Sequence, residues 1–315
     1  MKSLDVVAVG SCYVDLNATN FPFDRAGIAN ETELVGGKYE IVAGGSAVNF
    51  CSLLGTLGMR PAFIGVAGTD SMGDLLESLL TKEAVESKLI RKSDVETNIS
   101  FNMTSSDGSH IMCVAGTANA ALSPNDVLPI LREAADNSKA IYFGGCFKLK
   151  SFSDSFPSVV SIAKENSLSL FVDHGRVPND VMPEMIAGVQ NLVLGADYYL
   201  ASRNEFTELW NVGGIDEGIT LLYDKAPKLT VIVKDGANGA YYLEQAKVRH
   251  VLAHNVDNVL NLTGAGDSFN AGFMTAIFAN QSIYDAVAYG CAVAAAKISG
   301  QAIPTKSFAT YRSGK

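Results

Sequence analysis

Asp267 closes a run of three small residues, Gly264, Ala265 and Gly266, at the start of a stretch that reads as helix (NLTGAGDSFNAGF, 261–273). A loop without side chains that opens a helix leaves backbone N–H groups converging on one spot, and the helix dipole makes that spot favourable for an anion. A carboxylate beside an anion site makes chemical sense if the anion is a phosphoryl group in transfer and the carboxylate takes the nucleophile's proton. The alternative is structural: the glycines close-pack the helix against a neighbour, and Asp267 is an ordinary acid of a first turn. Two other glycine-loop chemistries fail on spacing. GAGDSF has Phe269 where a dinucleotide fingerprint needs its third glycine, and it stands near the C-terminus rather than after the first strand. The chain has no G-x-x-x-x-G-K-[ST], which excludes a P-loop kinase.

A second glycine stretch, VAGGSAVNF (42–50), pairs Gly44 and Gly45 ahead of a helix whose first turn carries Asn49. Paired glycines let backbone approach a ligand closely, and an asparagine one turn in offers a hydroxyl both a donor and an acceptor. Upstream, Asp15 in GSCYVDLN sits just past an apolar run, where its carboxylate could chelate sugar hydroxyls or simply be solvated at a strand end.

These residues need a scaffold, and the rest of the chain supplies its pattern. DVVAVG (5–10), PAFIGVAG (61–68), KAIYFGG (139–145), LSLFVD (168–173), DYYLAS (197–202) and KLTVIVK (228–234) read as buried strands. Amphipathic segments alternate with them: SAVNFCSLLGTLG, DSMGDLLESLLTKEA, SPNDVLPILREAADN, SFPSVVSIAKENS and RNEFTELWN. Alternating strand and helix with near-continuous apolar strands predicts an α/β fold, a mostly parallel sheet covered on both faces in three α/β/α layers. Residues 13–43, and 97–115 around the SSDGS turn at 105–109, alternate apolar with polar residues instead. They predict a small antiparallel sheet projecting from the main body, well placed as a lid because ligands of open α/β sheets bind at the carboxyl ends of the strands.

Composition narrows the partners. The 315 residues, 48% of them hydrophobic, suffice for one large α/β domain or two small ones, and a net charge of −9 argues against nucleic acid or an anionic membrane surface. The five cysteines stand singly in apolar segments with no C-x-x-C pair, so reduced buried thiols in a cytoplasmic protein are expected rather than zinc or disulfides. The apolar run after Asp5 is too short for a signal sequence, and no stretch has the length of a membrane-spanning helix.

Strand-end Asp, then G-G-x-x-x-N, then a late T-G-A-G-D-x-F-x-A-G-F is an order that resembles the ribokinase-like (PfkB) carbohydrate kinases over essentially the whole chain. The resemblance implies a single kinase domain over 1–315 in which Asp267 is the catalytic base and Gly264, Ala265 and Gly266 form the anion hole. Asp15, Gly44, Gly45 and Asn49 would hold the sugar. It implies ATP as phosphoryl donor with Mg²⁺. NEFTE (204–208) resembles the family's N-E-x-E element near metal and phosphates, which assigns Asn204 to the nucleotide and Glu205 and Glu208 to the metal. VKDGANGAYY (233–242) resembles its nucleotide-site turn, with Lys234, Gly236 and Gly239, and Thr263 joins them; AVAAAKISG (292–300) offers small residues to a flat adenine. ANAAL (118–122) and the GG-x-F of 144–147 also match the family.

Three departures from the family pattern bear on detail. Asn261 replaces an Asp that in many members helps to hold a monovalent cation, so weak potassium dependence is expected. Thr207 takes the place of the second Glu of N-E-x-E, with Glu208 displaced by one position. DHGR (173–176) matches only loosely: Asp173 is expected as a strand-end site residue, whereas His174 and Arg176 read equally as surface loop. Ser46 after the glycines, and the lack of a basic cluster near Asp15, favour a free sugar (ribose, fructose or a 2-keto-3-deoxy sugar acid) over a sugar phosphate. The alternative acceptor is a nucleoside of the adenosine type, with Phe101 of the lid stacking its base; otherwise Phe101 is lid core. A sugar- or nucleotide-binding protein without catalysis is the third reading. An apolar lid face would pair with a second copy, which predicts a homodimer through the lids.

Overall fold

The computed structural model describes residues 3–21, 37–83, 85–105 and 110–304. Its strands are β1 (Val6–Gly10), β2 (Tyr13–Phe21), β3 (Lys38–Gly44), β4 (Pro61–Gly68), β5 (Glu86–Lys92), β6 (Ile99–Ser105), β7 (His110–Ala115), β8 (Ala140–Gly144), β9 (Ser169–Asp173), β10 (Tyr198–Ser202), β11 (Thr230–Lys234), β12 (Ala240–Glu244) and β13 (Lys247–Val251). The helices are α1 (Ser46–Thr56), α2 (Ser71–Lys82), α3 (Ala118–Ala121), α4 (Pro124–Ala135), α5 (Phe156–Glu165), α6 (Pro183–Leu194), α7 (Arg203–Trp210), α8 (Ile215–Lys225), α9 (Ala265–Phe278) and α10 (Ile283–Ser299). Among the described residues no helix is long and apolar enough to cross a membrane.

The large sheet runs β13-β12-β11-β10-β9-β8-β1-β4-β5, parallel from β11 to β5 and antiparallel only at β12 and β13. Successive side chains of a strand point to opposite faces, so near-continuous apolar strands feed two cores. Val7, Val9, Ile141, Phe143, Leu170 and Val172 pack with α4 to α8. Val6, Ala8, Phe63, Tyr142, Phe171 and Leu200 pack with α1, α2, α9 and α10. This is the expected three-layer α/β/α arrangement. Strand order reverses beside β1, which lies between β8 and β4; in open α/β sheets ligands bind outside the carboxyl ends of strands at such a point. On the same edge of the sheet, the carboxyl ends of β9, β10 and β11 are Asp173, Ser202 and Lys234.

The two alternating segments form a separate sheet of order β3-β2-β6-β7. Its outer pairings are antiparallel, as expected, while the central pair, β2 with β6, is parallel. A period of two carries no information about strand direction, which is why the pattern left that pairing open. Residues 22–36 and 106–109 of the expected lid, including most of the SSDGS turn, lie outside the described residues.

Candidate active site

Gly264 is the N-cap of α9 with φ +75°, a left-handed conformation that costs glycine nothing, and Asp267 falls in the helix's first turn. The Ala265 amide donates back to the Leu262 carbonyl at 3.2 Å, so the turn presents beside the carboxylate the amides of Gly266 and Asp267, which have no acceptor among the described residues. Asn49 Nδ2, from the first turn of α1, donates to Asp267 Oδ2 at 3.0 Å. Burial pushes the Asp267 carboxyl up to about 7; the Asn49 hydrogen bond opposes the shift, the Asp173 charge adds to it and the Lys234 charge opposes it. A carboxylate that titrates there suits a general base at neutral pH.

Beneath the turn lies a bracket built from three elements. Lys234 Nζ at the end of β11 donates to Asp173 Oδ2 (2.9 Å) and to Asn270 Oδ1 (3.0 Å). Asn270, one turn beyond Asp267, donates its amide to Asp173 Oδ2 (2.6 Å) and to the Tyr142 hydroxyl (3.2 Å). The Gly175 amide satisfies Asp173 Oδ1 at 3.0 Å. Despite its burial the Asp173 carboxyl is held low by the charges and hydrogen bonds of Lys234 and Asn270, and the Lys234 ammonium is held high by Asp173, Glu205 and Asp267. The bracket is therefore an ion pair at neutral pH.

A cavity of about 660 Å³ opens from the turn. Gly264, Ala265, Gly266 and Asp267 line it with Asp173, Lys234 and Glu205, and so do the 236–239 turn, the 253–262 segment and Ala294, Ala295 and Ile298 of α10. The small residues among them leave room for a planar ring. Glu205 closes a capping box at the start of α7, its Oε2 accepting from the Ser202 amide at 2.8 Å, and its Oε1 has no partner among the described residues.

Asp15 on β2 is buried, with no hydrogen bond among the described residues, and burial pushes its carboxyl up to about 7. It lies against Gly44: a β-carbon there would meet Asp15 Oδ2 at 1.9 Å. Gly45 has φ +104°, and a β-carbon on it would meet the Ser11 carbonyl oxygen at 2.3 Å. The glycine pair therefore brings β3, the Asp15 carboxylate and the start of α1 together. Register places Asp15, Asn17, Ser100 and Asn102 on one face of the small sheet. A ladder of hydrogen bonds runs along this face, from Ser100 Oγ to Asn102 Oδ1, from Asn102 Nδ2 to Asn17 Oδ1 and from Asn17 Nδ2 to Glu40 Oε1.

A model of the pfkB family of carbohydrate kinases matches residues 3–303. The chain belongs to this family. It is 27% identical over 310 residues to a 5-dehydro-2-deoxygluconokinase of Halalkalibacterium halodurans, covering 95% of this chain and 89% of the other. Its fold is similar to a ribokinase-II-type protein of E. coli solved with ATP and Mg²⁺ (TM-score 0.77, 20% identity, 96% and 94% covered). Ribokinase of Arabidopsis thaliana complexed with ribose and ATP is similar as well (TM-score 0.74, 21% identity, 96% and 95% covered). Membership makes the chain an ATP-dependent sugar kinase.

Not every residue expected at this site is brought to it. Phe101 falls on the face of the small sheet opposite Asp15, level with Leu16 and Cys113, and so does not face the Asp15 pocket. Glu208 and Asn204 are exposed on α7 outside the cavity lining, and Thr263 and Asn261 are exposed ahead of the turn. The expected metal set of Glu205, Glu208 and Asn261 is thus not assembled, and among the described residues no three His, Cys, Asp or Glu side chains converge as a metal cluster. The reason is local. Glu208 follows Glu205 by three positions but only Glu205 stands at the strand-facing start of α7, and the Asn261 carbonyl turns back to accept the Thr263 amide at 2.8 Å. His174 is not surface loop: it is fully buried, with Nε2 2.8 Å from the Tyr199 hydroxyl, whereas Arg176 is exposed. Three features carried no usable signal. Asn270 is a polar residue inside an apolar helix, the 253–262 segment lacks any periodicity, and Cys291 reads as an ordinary core thiol although it lines the cavity.

Proposed function

We propose that the chain transfers the γ-phosphoryl group of ATP to a primary hydroxyl of a free sugar held between Asp15 and Asn49. The observation that carries this reading is the 3.0 Å contact between Asn49 and Asp267, which joins the acceptor elements to the base at the mouth of the anion turn. In the step, the acceptor hydroxyl gives its proton to an Asp267 oxygen as its own oxygen bonds to the γ-phosphorus. The bond from that phosphorus to the β–γ bridging oxygen breaks, and ADP leaves. The amides of Gly266 and Asp267 stabilise the charge on the phosphoryl oxygens, while that of Ala265 is held by the Leu262 carbonyl, and the base contributes about 10²–10⁴ in rate. A buried carboxylate at Asp15 with no hydrogen-bond partner among the described residues suits hydroxyl donors, and sugars bring them in pairs.

The residues present fit magnesium, which needs only one or two carboxylates because substrate phosphates and water complete its shell. Glu205, one of whose oxygens has no partner among the described residues, would hold it, since both oxygens of Asp173 are already engaged. When bound, the ion neutralises charge on the ATP phosphates. The adenine would lie between the 236–239 turn and α10. The small sheet acts as a lid on a single kinase unit, excluding water from the transfer.

For the acceptor, the Asp15 face of the lid offers the amides of Asn17 and Asn102 with Ser100, and its lysine, Lys38, stands at the far end opposite Thr19. That surface suits hydroxyls better than a phosphate. The relatives named above, one acting on 5-dehydro-2-deoxygluconate and one solved with ribose, support a free sugar or sugar acid. A nucleoside loses its stacking partner because Phe101 faces away. The deciding experiment is ATP consumption with pentoses, hexoses, ketoses, 2-keto-3-deoxy sugar acids and nucleosides. Acceptor-dependent turnover by one sugar class is expected, and none across the panel would sink the proposal.

Potassium should matter little. Asn261 lacks the charge that offsets dehydration of an ion, and its oxygen already serves the Thr263 amide. Activity in Tris or sodium should stay within a few-fold of that in potassium; strong activation by potassium would show that backbone carbonyls build the site alone.

A further inference from the structure

Lys234 is almost fully enclosed, and an ammonium enclosed at a strand end needs a reason. Two of its three N–H bonds go to Asp173 and Asn270, at 2.9 and 3.0 Å, and the third has no acceptor among the described residues. The same nitrogen lies 3.4 Å from where a β-carbon on Gly266 would stand, against the turn whose amides face the cavity. Gly266 thus lets a full positive charge approach the amide cluster with nothing interposed. Asp173 and Asn270 are each fixed in turn, Asp173 by the Gly175 amide and Asn270 by contact with the Tyr142 hydroxyl. A cation held this rigidly does not reorganise when negative charge appears beside it, which is what makes such a charge effective in a transition state.

We propose that Lys234 is a catalytic cation of the phosphoryl transfer, its third N–H donated to an oxygen of the phosphoryl group in flight, with Asp173 and Asn270 as the positioning residues that aim it. This inference rests on the kinase reading and deepens it: the anion hole is not amides alone but amides backed by a fixed ammonium. The competing account is that Lys234 merely neutralises a buried aspartate. The two accounts differ in what happens when both charges are removed together.

The test measures MgADP affinity by titration calorimetry with and without aluminium fluoride, which mimics the planar phosphoryl group. In the unmodified protein fluoride should tighten MgADP binding. Lys234→Gln should bind MgADP within a few-fold of the unmodified protein but lose about 100-fold of the fluoride-dependent gain, the usual effect of removing one donor from such a site. Because that variant leaves Asp173 buried and unpaired and so endangers folding, the second variant combines Lys234→Gln with Asp173→Asn. It should recover thermal stability and still lack the gain. Recovery of the gain in the double variant, or its persistence in Lys234→Gln, overturns the inference. Acceptor-dependent ATP consumption by the unmodified protein checks the kinase reading separately, so a working kinase whose variants keep the gain removes only the role of Lys234. Absence of any fluoride gain in the unmodified protein overturns the inference as well.

Discussion

Asp267 and Asp15 are two carboxylates that burial holds near neutrality, and this fixes how the protein should respond to pH. The base works only when unprotonated, so kcat/KM is expected to fall about tenfold per pH unit below roughly 7 and to level off above it. Stability runs the other way. Each carboxyl binds its proton more tightly folded than unfolded, so between its usual range and about 7 the folded state carries the extra proton and stability declines as pH rises. Asp267→Asn should therefore abolish phosphoryl transfer, leave ATP binding within a few-fold and stabilise the ligand-free protein at pH 8 by on the order of 1–2 kcal/mol. Melting curves at pH 5 and 8, with turnover assays, check all three, and near-native turnover would remove the mechanism. Gly44→Ala offers the complementary test on the acceptor side. Its β-carbon would displace the Asp15 carboxylate, so the sugar KM should rise while the ATP KM stays put; equal damage to both would mean a structural role. The Asp267 turn can be read from residue type and local spacing, whereas Asp15 and Asn49 stand out only through the order of motifs that resembles the family. Asn270 and the Lys234 bracket cannot be read there, because they depend on three elements distant in the chain meeting at one atom.

At the scale of elements, the apolar parallel strands could be read directly, since burial on both faces writes a continuous hydrophobic run. The strands that escaped are those with mixed environments. Strand β5, ESKLIRK, is a half-exposed edge. The β12–β13 hairpin turns through Gln245 and Ala246, both at positive φ without a glycine or asparagine to announce it. How the small sheet is fastened is equally hidden, because ANAAL (118–122) shows no partner in the sequence. Asn119, in α3, accepts from the Cys12 amide and donates to the Cys12 carbonyl, both at 3.0 Å, clasping the link between β1 and β2 three residues before Asp15. The Asn98 side chain at the root of β6 accepts from the Asn119 amide at 2.7 Å and donates to the Ala115 carbonyl. Asn119→Ala strands two buried backbone groups, so a loss of about 1–3 kcal/mol is expected. The sugar KM should rise several-fold and the ATP KM should not move, since the nucleotide cavity has no wall on α3. Denaturant melts and the two KM values test this, and a rise in both would show that the clasp serves the whole fold rather than the lid.

For the whole molecule, the lid poses a question that one chain leaves open. The face opposite Asp15 lines up Leu16, Ile41, Phe101 and Cys113 in register across four strands. Tyr39 is 74% exposed, Phe101 41% and Ile41 37%, so a contiguous apolar surface faces outward while the polar ladder faces the site. Such a face needs cover, and a second copy of the same sheet supplies the same pattern in return. We expect a homodimer joined through the lids. Two chains of net charge −9 repel each other, so screening should help them meet, and dimerisation should strengthen as salt rises from low ionic strength. Phe101→Asp and Ile41→Lys place charges on that face without touching Asp15, so each should shift the protein to monomer in light scattering. Where lid pairing also steadies the acceptor pocket, the monomer should show a raised sugar KM and an unchanged ATP KM. A monomer at every working concentration and salt would refute the pairing. A dimer indifferent to both substitutions would place the interface elsewhere and return Phe101 to a purely internal role in the lid.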